Sequence, residues 1–258
     1  MTIFGLLKNV GKLFVALILM LFLGGLAGIG PVGAAGRTNQ SALQKQAEVD
    51  LNGDGTAEKI TFTTDTKTNK FTIAVAGSSQ SVEYEVPDDP PKGFSIVAID
   101  KTDKYREIVV DCPGESDADT YYIFAYDGKR LDKIGAFSRS VDFPGDGSVR
   151  VEDWTGFWSS HDKYVLDRRK HTLKKVPQEF YYVGVSATVK KTFPMYTAPN
   201  QQTVVANVEP GSKVMILLSP APLPEGSRWY LLKTADNLVG WIKEETMQDH
   251  LDGIPWAG

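Results

Sequence analysis

Short runs of alternating apolar and polar residues, each cut off by Gly, Asn, Asp or Pro, constrain this chain more than any other feature. Ile60, Phe62 and Thr64 alternate with polar neighbours, as do Phe71, Ile73 and Val75, then Ile96 and Ala98 in FSIVAI and Ile108 and Val110 in EIVVD. A period of two puts the apolar side chains on one face of a half-buried strand. TYYIFAY (Thr120 to Tyr126) and KIGAF (Lys133 to Phe137) are joined through Asp127-Gly128, whose glycine takes the positive φ that a tight hairpin turn demands. No convincing amphipathic helix follows residue 47. The expected class is all-β.

Between Glu48 and Tyr182 an acidic loop running into a strand recurs. It reads VDLNGDGTAEKITF from Val49, AIDKTDKYREIVV from Ala98 and VDFPGDGSVRVED from Val141. A spacing of about 45 to 50 residues is that of blade-sized repeats, and three units are fewer than a closed propeller uses. The first module is therefore expected to be a β-meander, propeller-fragment-like, or a sandwich of similar hairpins.

The chain begins with Lys8 and Lys12, an uncharged apolar run from Leu13 to Leu26, then Gly28, Gly30, Pro31 and the small-residue string VGAAG. This is the layout of a secretory signal ending after Ala34 or Ala35. The other reading is an uncleaved membrane anchor over Leu13 to Gly36, which reaches the roughly 20 residues a span requires. The expected order is a signal over 1–35, a linker over 36–47, a β-rich module over 48–182, a second module over 185–247 and a tail over 248–258. The protein is expected to be secreted or associated with the cell envelope, touching membrane only through an uncleaved N-terminal segment. A net charge of −4 without a dense Lys/Arg run argues against nucleic acid as a partner. Cys112 is the only cysteine, so stability outside the membrane has to come from core burial or from metal rather than from an internal disulfide.

In the first acidic loop Asp50, Asn52 and Asp54 occupy alternate positions of a glycine-bearing turn, with the Thr56 carbonyl and Glu58 able to complete a shell. Several hard oxygen ligands without His or Cys suit calcium. An EF-hand is disfavoured, because Thr61 stands where that loop has its bidentate Glu. The stretch instead resembles the integrin-like calcium loop of FG-GAP and VCBS repeats, which feeds a strand as this one does. That resemblance implies Asp50, Asn52, Asp54, Thr56 and Glu58 as the ligand set and a structural Ca²⁺. The alternative is an Asx-type turn that only solvates its carboxylates. In the second copy Asp100, Thr102 and Lys104 are aligned with Asp50, Asn52 and Asp54, with one residue fewer before Glu107, and Lys104 is expected to stand in for a cation. The third copy, Gly145-Asp146-Gly147, is expected to be a plain turn.

From Ala187 the texture changes: ATVKKTFPMYTAPN, VVANVEPGSKVMILL and RWYLLKTADNLVGWI. Pro210-Gly211 suits a tight turn, and Gly240 lets its backbone pass close to a neighbouring strand. These segments resemble a bacterial SH3 (SH3b) domain, which implies a small SH3-like barrel and binding rather than chemistry. The implied partner is cell-wall peptidoglycan, another envelope polymer or a surface protein. Tyr196, Trp229, Tyr230 and Trp241 are the candidate contacts, with burial in the barrel core as the competing role. Trp154 and Trp158, in an aromatic turn with Phe157 and Tyr164, form either a local core or a second binding platform.

A catalytic alternative is weighed on Cys112 with His161, His171 or His250, and on the acids Glu115, Asp117 and Asp119. Cys112 ends the strand-like EIVVDCPG with no helix after it, the acids that could mimic a glycosidase pair sit in a Gly/Ser-rich loop that solvates them, and no HExxH or GxSxG motif occurs. The expectation is an exported, non-enzymatic binding protein of the cell envelope. A glycan- or peptide-directed envelope hydrolase with an acidic site in the first module is the alternative.

Overall fold

The alternation seen in the sequence becomes antiparallel sheet almost throughout. The computed structural model describes residues 42–256 apart from 87, 116–117, 139, 222 and 224–227. The expected signal over 1–35, the start of the linker and Asp117 lie outside the described residues. Among those described, no helix is long and apolar enough to cross a membrane.

Three four-stranded meanders follow one another in chain order. The first holds β1 (Gln46–Val49), β2 (Glu58–Asp65), β3 (Lys70–Val75) and β4 (Ser78–Glu83), so its first strand begins inside the expected linker. The second holds β5 (Ser95–Val97), β6 (Glu107–Cys112), β7 (Thr120–Tyr126) and β8 (Leu131–Ser138). The third holds β9 (Ser140–Asp142), β10 (Ser148–Trp154), β11 (Ser159–Asp167) and β12 (Thr172–Lys175). In each sheet the acidic loop connects the first strand to the second, so the repeat legible in the sequence is a repeat of topology.

The sheets stack through their apolar faces. Ile108, Val110 and Phe124 of the second sheet join Ile60, Phe71 and Ile73 of the first in one core. The intervening residues Val109, Ile123 and Ala125 face the third sheet with Val141, Val149 and Val151. The middle sheet is thus covered on both sides, which is why EIVVDC and TYYIFAY read as nearly continuous apolar runs.

The remaining strands make a seven-stranded sheet in the order β15-β14-β18-β17-β16-β13-β19. These are β13 (Phe180–Val189), β14 (Phe193–Tyr196), β15 (Val204–Val208), β16 (Lys213–Pro220), β17 (Trp229–Thr234), β18 (Val239–Lys243) and β19 (Leu251–Asp252). The pairing does not close, since β15 and β19 are the two ends of the ladder. Its inner face still gathers around one core that includes Met195, Ile216, Tyr230, Leu232 and Ile242. Gly240 behaves as its sequence context requires: a Cβ there would stand 2.6 Å from the Met195 Cβ. A short helix, α1 (Glu244–His250), not foreseen from the sequence, buries Met247 against the same core.

That core is completed from upstream. The turn between β10 and β11 inserts Phe157 and Trp158, both buried, beside Tyr230 and Tyr181. Trp158 Nε1 donates to the Tyr230 hydroxyl at 3.4 Å, and Arg228 Nη1 donates to the Thr155 carbonyl at 3.0 Å. Trp256 of the tail packs on Phe157 with ring centroids 4.5 Å apart. The described residues cluster as a single compact unit.

Candidate metal loop and binding face

The first acidic loop is wound tightly around its own amides. Asp50 accepts from Gly53 N (2.7 Å) and Gly55 N (2.8 Å) through its two oxygens. Asn52 Oδ1 accepts from Asp54 N, and Asp54 Oδ1 from Thr56 N. Gly53 has φ 76 and Gly55 φ 92, values that a residue with a Cβ adopts only under strain. At Gly53 a Cβ would also stand 2.7 Å from the Lys104 Cβ of the second loop. Asp54 is held below the usual carboxylate range by the Asn52 amide first and by the Thr56 N–H next, so it stays ionised well into acid.

Of the five residues expected around an ion, Asp50, Asp54 and Glu58 bring carboxylate oxygens within 4.8 Å of one another. Asn52 turns its amide to the loop, with Nδ2 donating to Asp54 Oδ2 at 2.9 Å. Each carboxylate oxygen has two lone pairs and uses one on an N–H at most, which leaves acceptor capacity for a hard cation. The donor set fits calcium in kind.

The second loop has a basic side chain beside its acids. In the first sheet the buried Leu51 donates its N–H to Glu58 Oε2 (2.8 Å); in the second the buried Ile99 donates to Glu107 Oε2 (2.9 Å). Leu51 O and Ile99 O then accept from the next unit, from Arg106 N and Gly147 N. These bonds equate Leu51 with Ile99 and Glu58 with Glu107. The alignment expected from the sequence, with Asp100 on Asp50, is corrected: Asn52 is the residue equivalent to Asp100, and the second loop is one residue longer, not shorter, before its glutamate. The buried apolar residue pins the register, not the acid beside it.

The stand-in cation is also corrected. It is Arg168, from the turn after β11, and not Lys104. Its Nε lies 2.6 Å from Asp103 Oδ2 and its Nη1 2.8 Å from Glu107 Oε1. The guanidinium also stacks on Tyr105, 4.4 Å from the ring centroid. Burial pushes the Glu107 carboxyl above its ordinary range, opposed by the Ile99 N–H and by Arg168. In the third loop Ser148 replaces the glutamate at the first position of the second strand and bonds Asp146 through both its N–H and its hydroxyl. Arg150 and Lys163 face that aspartate at 3.5 and 4.0 Å.

The second site is the outward face of the seven-stranded sheet. Register places Tyr182, Leu218, Leu231, Trp241, Tyr196 and Val204 in one row running across six strands. Tyr182 is 68% exposed and Val204 47%, while the four between them are half-buried by one another. Phe180, 40% exposed, leans on Trp241 at 6.3 Å, and Tyr196 meets Trp229 edge-on at 6.1 Å. Among the expected contacts, Tyr196, Trp229 and Trp241 therefore share this face. Tyr230 does not, because it is wholly inside the core. Trp158 is likewise core, whereas Trp154 is exposed at the end of β10. Sequence reasoning missed Phe180, Tyr182, Leu218 and Leu231. Their signal was the outward half of each alternation, which carries large apolar residues as well as the inward half does.

Cys112 sits in the core between the first two sheets, and burial pushes its thiol up to about 12, the opposite of what a nucleophile requires. Comparison of the chain with protein-family models, with curated proteins and with solved structures finds no match. The fold defines an all-β protein with a thrice-repeated meander and a sheet that exposes large apolar residues on its outer face.

Proposed function

We propose that this chain is an exported, non-enzymatic binding protein of the bacterial cell envelope. In this reading the meanders are a rigid support, stiffened by calcium in the loop of Asp50, Asp54 and Glu58. The SH3b-like sheet engages a cell-wall polymer or a surface protein. The observation that carries it is the aromatic row of the outer face, since soluble proteins rarely leave a contiguous apolar surface uncovered without a partner for it. The calcium assignment is supported by the second loop, where the equivalent glutamate has a guanidinium beside it.

Co-sedimentation with purified bacterial cell wall tests the reading. The wild-type protein is expected in the pellet, and Trp241→Ala and Tyr196→Ala each to weaken retention by about 1 to 3 kcal/mol, the range of a hot-spot aromatic. Undiminished retention in both variants, with a loss in Trp154→Ala instead, moves the binding site to the β10–β11 turn. Release of soluble sugar or peptide from the wall overturns the reading in favour of a hydrolase.

A further inference from the structure

Charge on the outer face of the seven-stranded sheet is one-sided. None of its six longer strands, β13 to β18, contains Asp or Glu, although the chain as a whole carries a net charge of −4. Lys213, Lys233 and Lys243 stand at outward positions, alternating with the buried Val214, Leu232 and Ile242. Lys243 Nζ lies over the Trp229 ring, 5.5 Å from its centroid, and Lys213 Nζ donates to the Thr188 hydroxyl. Neither is in an ion pair with a carboxylate among the described residues. An acidic protein whose sheet strands carry lysines and no acids has, on the face of those strands, a surface complementary to negative charge.

The row crosses six strands, a length of about five inter-strand spacings or roughly 24 Å. It runs across the strands, and the strands of its four middle residues are already paired on both sides, so a peptide could extend the sheet only at the two ends of the row, beside β15 and the start of β13. What it offers instead is the rings of Trp241, Tyr196 and Trp229 on one face with Lys233 and Lys243 on the same strands. A saturated sugar ring presents a face of C–H bonds that packs on an aromatic ring, and its carboxylate, phosphate or sulfate substituents would meet the lysines.

We propose that the outer face of this sheet binds an anionic glycan, with Trp241, Tyr196 and Trp229 stacking on sugar rings and Lys233 and Lys243 pairing with their charged substituents. The proposal rests on the reading of this face as the binding surface and names the chemistry of its ligand.

The test uses the full mature chain and follows tryptophan fluorescence during titration with polygalacturonate, dextran sulfate, uncharged dextran and poly-glutamate. Polygalacturonate or dextran sulfate is expected to bind, with affinity falling at least about tenfold between low and high salt as the charges are screened. The double change Lys233→Gln with Lys243→Gln is expected to reduce that affinity by a similar factor, while Lys59→Gln, on the exposed face of β2, leaves it unchanged. Equal, salt-insensitive binding of dextran overturns the charge argument. Equal binding of poly-glutamate makes the ligand an acidic peptide instead. Binding of neither anionic glycan, with retention on cell wall still lost in Trp241→Ala, overturns this proposal while leaving the broader binding function intact. Absence of wall retention by the wild type overturns that function itself.

Discussion

Replacing Arg168 by Met removes a charge while keeping most of the apolar stem, so it isolates what the guanidinium does for the second loop. Glu107 has a side chain with no exposure, and Arg168 is 27% and Asp103 25% exposed. Breaking a buried pair by removing one partner costs about 3–5 kcal/mol. Here the Asp103 leg reaches water and is worth at most about 1 kcal/mol, and Glu107 keeps its bond from Ile99 N. The expected loss is therefore about 2–4 kcal/mol at neutral pH, or about 5–15 °C in Tm for a unit of this size.

The loss should depend on pH in a definite direction. Burial already raises the Glu107 carboxyl, and Arg168 is one of the groups pulling it back down. Without Arg168 its folded pKa climbs further above the unfolded one. A carboxyl whose folded pKa is raised binds more protons in the folded state, so the variant gains stability as pH falls through that folded pKa and levels off below the unfolded value. The gap between wild type and Arg168→Met is thus widest at neutral pH and narrower near pH 5. Urea denaturation followed by tryptophan fluorescence at both pH values measures it. A loss under about 1 kcal/mol at neutral pH, or one that does not shrink in acid, refutes the idea that Arg168 neutralises this loop.

Three further outcomes are expected. Calcium should raise the Tm of the protein and EDTA lower it, with both responses lost in Asp50→Asn combined with Asp54→Asn; an unchanged melt in calcium and in EDTA rejects the ion. A fragment of Val185 to Gly258 lacks Phe157, Trp158 and Tyr181 from its core; with each large aromatic worth about 3–5 kcal/mol, it should show no cooperative unfolding. A sharp two-state melt of that fragment would show the insertion to be dispensable. Cys112, buried and raised to about 12, should react with a thiol reagent at pH 8 only as fast as the protein unfolds, and immediate labelling of the native protein would contradict its placement.

The sequence alone determined what local chemistry determines. Alternation at period two makes strands wherever it occurs, Asp-Gly and Pro-Gly force turns, and Asp50, Asp54 and Glu58 lie close enough along the chain for their convergence to be read from spacing. Tertiary structure decided whatever depends on which strands meet. Both alternating halves of the seven-stranded sheet carry large aromatic and aliphatic residues, so only pairing and stacking could choose Tyr230 for the core and Tyr182 for solvent. Phe157 and Trp158 had a core to fill only once the β10–β11 turn was brought against β13 and β17. Arg168 is 61 residues from Glu107, in a turn with no motif of its own. Its role as the second loop's cation exists because the third sheet stacks on the second, and a contact made through that stacking leaves no mark in the spacing of either segment.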